Sequence, residues 1–149
     1  MKVKCIHNTG QFLSSDLING QYLGWNKEME FVTITPNNLY IVYAISIINH
    51  HKFYMICCDD YGNIDYPQIL PYELFEVIEK EWSKYWHKKS PLPSESNYDI
   101  GFKEYVEEPY FYGNLLEGYK RELDIFAHWK RLIDEENRDD SEELSFDKI

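Results

Sequence analysis

Glycine is scarce in this chain, with seven in 149 residues. A phosphate-cradling loop or a dinucleotide fingerprint needs glycines at fixed close spacing, so that backbone N–H groups can approach a pyrophosphate; neither pattern is present, and no Gly-x-Ser-x-Gly elbow presents a nucleophile. Cysteine is scarcer still: Cys5, Cys57 and Cys58 form no even framework. Adjacent Cys57 and Cys58 lie in a strand pattern that points successive side chains to opposite faces, so they do not bridge each other. They read as small buried thiols in a reducing compartment. No apolar run approaches the roughly 20 residues of a membrane span, and no charged-then-apolar leader opens the chain. The expected location is therefore cytoplasmic.

Positive charge is the third shortage. There are 15 Lys and Arg against 26 Asp and Glu, a net charge of −11. The deficit is uneven: residues 1–90 carry 8 Lys against 10 acids, and residues 91–149 carry 7 Lys and Arg against 16 acids. Such a chain repels nucleic-acid phosphates and anionic membranes, and it suits basic protein partners whose encounter it accelerates.

What the chain does have is apolar and aromatic surface, 44% hydrophobic residues with thirteen tyrosines, which is enough to fold. Lys2–His7 alternates polar and apolar as a half-buried strand does. After an irregular stretch with one helical turn near Ser14–Ile18, a short strand is expected at Glu30–Ile34. Leu39–Ile48 is rich in β-branched and aromatic residues, and Phe53–Cys58 answers it across a polar hairpin turn at Asn49–Lys52. Ile64–Gln68 reads as an edge strand because Pro67 cannot donate to a ladder, and Leu74–Glu79 as the last. Short strands at this spacing, joined by tight turns, predict a mainly β (α+β) fold: a small closed or nearly closed antiparallel β-barrel over residues 1–89. Residues 90–112 read as a linker followed by an irregular aromatic and acidic segment, with Pro91 and Pro93 holding the backbone extended.

From Gly113 the period changes. Leu115, Leu116, Tyr119, Leu123, Phe126, Trp129, Leu132 and Ile133 recur at steps of three and four, which predicts one amphipathic helix over residues 113–137 with Asn114 as its N-cap. That stripe must dock on the barrel or on another chain, where it would make a homo-oligomer. Residues 138–149 are acidic and expected to be disordered.

No constellation argues for catalysis, and no metal or cofactor is expected. His50-His51 with Cys57-Cys58 lacks the Cys-x-x-Cys or His-x-x-x-His spacing that lets zinc ligands converge. Residues 59–65 lack the alternate ligands and terminal Glu of a calcium loop. A carboxylate–histidine set such as Asp59, Asp65 and His87 would have to be assembled by the fold. Trp82, Tyr85 and Trp86, interleaved with Lys84, His87, Lys88 and Lys89, could stack nucleic-acid bases. The surrounding acidity argues instead for a barrel plug or interface anchors.

The segments Tyr40-x-Val42-Tyr43-x-Ile45, Leu74-Phe75-Glu76-Val77-Ile78 and Ser83-Lys84-Tyr85-Trp86 resemble a pattern in short bacterial proteins with a small SH3-like barrel, some of which are immunity proteins of polymorphic toxin systems. The resemblance covers about residues 2–87. It implies a non-enzymatic protein-binding module, most simply an inhibitor of a cognate basic toxin domain; an SH3-like adaptor or regulatory subunit is the alternative. The contact would use the aromatic anchors Trp82, Tyr85, Trp86, Tyr110 and Tyr112 and the acids Glu107, Glu108, Asp134, Glu135, Glu136, Asp139 and Asp140.

Overall fold

A computed structural model describes residues 1–18, 24–59, 66–89 and 96–138. The expected linker at 90–95 and the acidic residues from 139 onward, Asp139 and Asp140 among them, lie outside the described residues. The strands are β1 (Lys2–Cys5), β2 (Leu39–Ile41), β3 (Ala44–Ile48), β4 (His51–Cys57), β5 (Pro67–Pro71), β6 (Phe75–Glu79), β7 (His87–Lys89) and β8 (Tyr98–Gly101). The helices are α1 (Ser15–Ile18), α2 (Lys103–Glu107), α3 (Phe111–Leu116) and α4 (Lys120–Glu136). The strands form two antiparallel sheets, one in the order β2-β1-β6 and the other in the order β5-β4-β3-β8-β7. The fold is thus α+β with two open sheets, and the strands do not close into the single barrel expected over residues 1–89.

The reason is visible at two corners. The apolar run Leu39–Ile48 does not continue as one strand: it breaks at Val42-Tyr43, pairing with β1 before the break and with β4 and β8 after it. Likewise β5 passes into β6 through a 3₁₀ turn at Tyr72–Leu74, and β6 pairs with β1. Pro67 lies in β5, an edge strand as its missing donor requires. The hairpin between β3 and β4 closes in two residues, Asn49 and His50, both at positive φ (50° and 66°) as a type I′ turn requires. No strand forms at Glu30–Ile34; a single bridge joins Glu30 to Thr9.

The sheets enclose one core, in which Val3, Cys5, Val42, Ile45, Ile56, Leu70, Leu74 and Ile100 are buried with Leu17, Phe31 and Ile34 from the long connection. A second core lies on the other face of the five-stranded sheet, where Ala44 and Met55 meet Phe102, Tyr105, Phe111, Leu115, Phe126 and Ile133. The helices therefore dock on their own chain.

Two expectations about the C-terminal third need correction. Residues 98–112 are not irregular: they supply β8, inserted between β3 and β7, and then α2. The helix expected over 113–137 is two helices. Gly118 at φ +81° ends α3, with its N–H on Leu115 O (3.1 Å) and the Tyr119 N–H on Asn114 O (3.2 Å). This is a Schellman C-cap, so Asn114 lies inside α3 and Tyr119 is the N-cap of α4. Leu116, Tyr119 and Leu123 consequently leave the expected stripe and stay exposed, while Phe126 and Ile133 are buried.

Candidate functional site

The acids expected to face a partner divide into two groups. Those on α4 serve the fold. Asp134 accepts from the Tyr43 hydroxyl (2.5 Å) and from Lys130 Nζ (2.6 Å), and Glu136 accepts from the Lys84 backbone N–H (3.0 Å). The Tyr43 and Lys84 bonds fasten α4 to the break between β2 and β3 and to the segment before β7. Glu135 is exposed, with Arg131 Nη1 3.8 Å away; solvent screens such a pair to little net value. The aromatic anchors divide too. Trp82 is 52% exposed and Tyr110 78%, whereas Tyr85 packs on Trp129 with centroids 5.8 Å apart and Trp86 contacts both cores.

The second group of acids lines a groove of about 450 Å³ between β3, β5, β8 and the end of α2. This lies within the roughly 300–1,000 Å³ usual for ligand pockets. Ser46 of β3 and Asp99 of β8 are cross-strand partners, which puts both on the sheet face that α2 covers. Ser46 Oγ donates to Asp99 Oδ1 at 2.8 Å. With its one proton spent there, Ser46 can only accept from the Tyr105 hydroxyl, with which it forms a short hydrogen bond. Tyr112, Ile69, Val106 and Pro109 form the walls, and Glu107 and Glu108 the rim. Tyr112 also accepts the Ile69 N–H (3.2 Å), which pins α3 to β5.

Burial dominates the electrostatics here. It raises the Asp99 carboxyl above its ordinary range, against the opposing Ser46 hydrogen bond; it holds the Tyr105 phenol far above its ordinary value and pushes Tyr112 up to about 12. Glu108 is lowered by its hydrogen bonds to Arg121, made at 2.8 and 2.9 Å. Neither Asp99 nor Glu107 makes an ion pair among the described residues.

Because Asp99 is raised in the fold, the native state retains a proton that the unfolded chain has already released, and stability falls as pH rises through that window. Asp99→Asn should therefore raise the urea midpoint at neutral pH. The gap to the parent should close once the pH is below the ordinary carboxylate value of 3.8. A constant gap across that range, followed by tryptophan fluorescence, would show that Asp99 carries no burial penalty.

Elsewhere the polar clusters are structural. His51 Nε2 meets Glu73 Oε1 at 2.7 Å and Glu73 Oε2 accepts the Ser14 N–H at 3.1 Å, tying the long connection to the 3₁₀ turn. Asp59 holds Tyr40 (2.7 Å) and Thr35 (2.5 Å), while Asp65 lies outside the described residues. Cys5 is buried and its thiol is pushed up to about 11, so it is no nucleophile. No three His, Cys, Asp or Glu side chains converge on a metal position among the described residues, and no described helix is long and apolar enough to cross a membrane. Glu107, Glu108 and Tyr112 are marked by composition alone, and Asp99 falls among the acids of 98–109 that composition marks with them; Ser46 and Tyr105, which complete the floor, carry no sequence signal. No protein-family model, no curated protein and no solved structure matches this chain.

Proposed function

We propose that this chain is a non-enzymatic, cytoplasmic protein-binding module of the immunity type, which neutralises a cognate basic toxin domain by covering its cationic surface. The observation that carries this reading is the groove. Asp99 and Glu107 sit in an aromatic-walled cleft without an ion pair among the described residues, in a chain of net charge −11. Asp99 is half-buried and Glu107 is exposed at the rim; carboxylates left without a counter-ion, one of them partly out of water, favour a partner that brings one. The floor adds no imidazole and no activated nucleophile. Its serine proton is committed to Asp99, and its phenol is held neutral by burial.

The adaptor reading is favoured by one feature of the fold. The apolar run Leu39–Ile48 feeds both sheets, as β2 in one and β3 in the other, and a 3₁₀ turn joins β5 to β6; this supports an SH3-like arrangement for the two-sheet half, with β7, β8 and the helices as additions. The experiment that separates the two is co-expression of the full chain with the toxin-like product of the neighbouring gene. Immunity predicts restored growth and a complex that copurifies. If the neighbour is harmless alone and does not bind, immunity is refuted; a partner that copurifies without any rescue of growth favours the adaptor.

A further inference from the structure

We infer that the groove is the seat of one arginine side chain, presented by a basic segment of the partner. This rests on the binding-module reading for the partner's existence, and it names the chemistry the site selects.

Three properties of the groove restrict its occupant. It must be cationic, since Asp99 and Glu107 make no ion pair among the described residues. It must present flat faces, since the Tyr105 ring lies in the floor and Tyr112, Ile69, Val106 and Pro109 form the walls. It must offer several N–H groups at once, since the two carboxylates stand on different elements, Asp99 in β8 and Glu107 at the end of α2. A guanidinium meets all three: it is planar, weakly hydrated, stacks on aromatic rings and donates in a fixed fork. A lysine ammonium carries the charge and three N–H donors but has no flat face to lay on the aromatic wall, and it is a compact, strongly hydrated point charge.

The rim already carries out this recognition within the chain. Arg121 Nη1 and Nη2 hold Glu108 Oε1 and Oε2 at 2.8 and 2.9 Å, the bidentate geometry that gives Arg–carboxylate pairs their specificity. Glu108 is thus occupied, which leaves Asp99 and Glu107 for an incoming side chain. Asp99 Oδ1 already accepts from Ser46, so Oδ2 is assigned to the incoming side chain.

The test uses the full chain and two probes, N-acetyl-arginine methylamide and its lysine counterpart at equal ionic strength, followed by amide chemical shifts. The arginine probe should give saturable shifts at Ser46, Asp99, Tyr105 and Tyr112, with the lysine probe at least about 10-fold weaker, a difference of about 1.4 kcal/mol. Asp99→Asn should weaken the arginine probe by a similar factor while its circular dichroism stays that of the parent. Glu135→Gln on α4 should leave the affinity unchanged. Absence of saturable shifts in the groove, equal response to both probes, or an Asp99→Asn variant that binds as the parent does would each overturn the inference. If Asp99→Asn still captures the toxin partner as the parent does, the groove assignment fails and the module reading survives. If the probes behave as expected and no toxin partner binds, the reverse holds.

Discussion

Phe102→Ala should destabilise the chain by about 3–5 kcal/mol, the range for deleting a buried Phe side chain. Phe102 is fully buried at the point where β8 hands over to α2. Its ring lies 5.5 Å from Phe111, 5.7 Å from Tyr105, 6.3 Å from Phe126 and 6.2 Å from Trp129. Those rings come from all three C-terminal helices, so the vacated space has walls on every side and no single element can collapse to fill it. Domains of this size hold about 5–15 kcal/mol in total; the loss is a large share of that. Urea denaturation read at neutral pH should show a lower midpoint with an unchanged slope. Trp82→Ala removes a larger side chain that is 52% exposed and should stay within about 0.5 kcal/mol. If the two variants cost the same, the helical layer is not held through Phe102.

Gly10→Ala should cost about 3 kcal/mol, at the upper end of what overpacking costs, although it adds one methyl group. A Cβ at position 10 would stand 1.7 Å from Asn26 O and 2.8 Å from Asn26 C. Both are backbone atoms, which cannot rotate aside. The segment that would have to move is held by the Gly10 N–H on Met29 O (2.9 Å) and the Phe31 N–H on Asn8 O (2.6 Å), and it covers the first core with Phe31 and Trp25, packed edge to face at 5.6 Å. Displacing it breaks those bonds and wets Phe31. Hydrogen exchange should locate the effect: protection at Gly10 and Phe31 falls while the helical layer keeps its own. A variant as stable as the parent would show that the two backbones are further apart than 1.7 Å implies.

The parts of this fold that were legible in sequence are those with a period. Alternation announced β1, the β-rich runs announced the β3–β4 hairpin, and steps of three and four announced α4. The break at Gly118 had a signal, a glycine between two apolar turns, but the stripe of leucines and aromatics runs across it and hides the C-cap. Strand β8 had none. Tyr98-Asp99-Ile100-Gly101 is four residues long with no marked alternation, and it becomes a strand because β3 and β7 pair with it on both sides.

The acidic surface shows the same division more sharply. Composition alone places the negative charge beyond residue 90, and with it the expectation of a basic partner. It cannot separate Asp134 and Glu136, whose oxygens hold α4 to the sheet, from Asp99 and Glu107, whose carboxylates line a groove. That separation depends on which hydrogen-bond donors arrive beside each acid. Ser46, Asp99 and Tyr105 lie 53 and 59 positions apart along the chain from Ser46, and only strand register and the seating of α2 bring them together. The scarcity of glycine, cysteine and positive charge determined by itself what this protein is built without and the sign of the surface it offers. Where that surface opens into a groove was decided by the tertiary structure, because a charge is spent or left over according to its neighbours in space, and a sequence lists neighbours only along the chain.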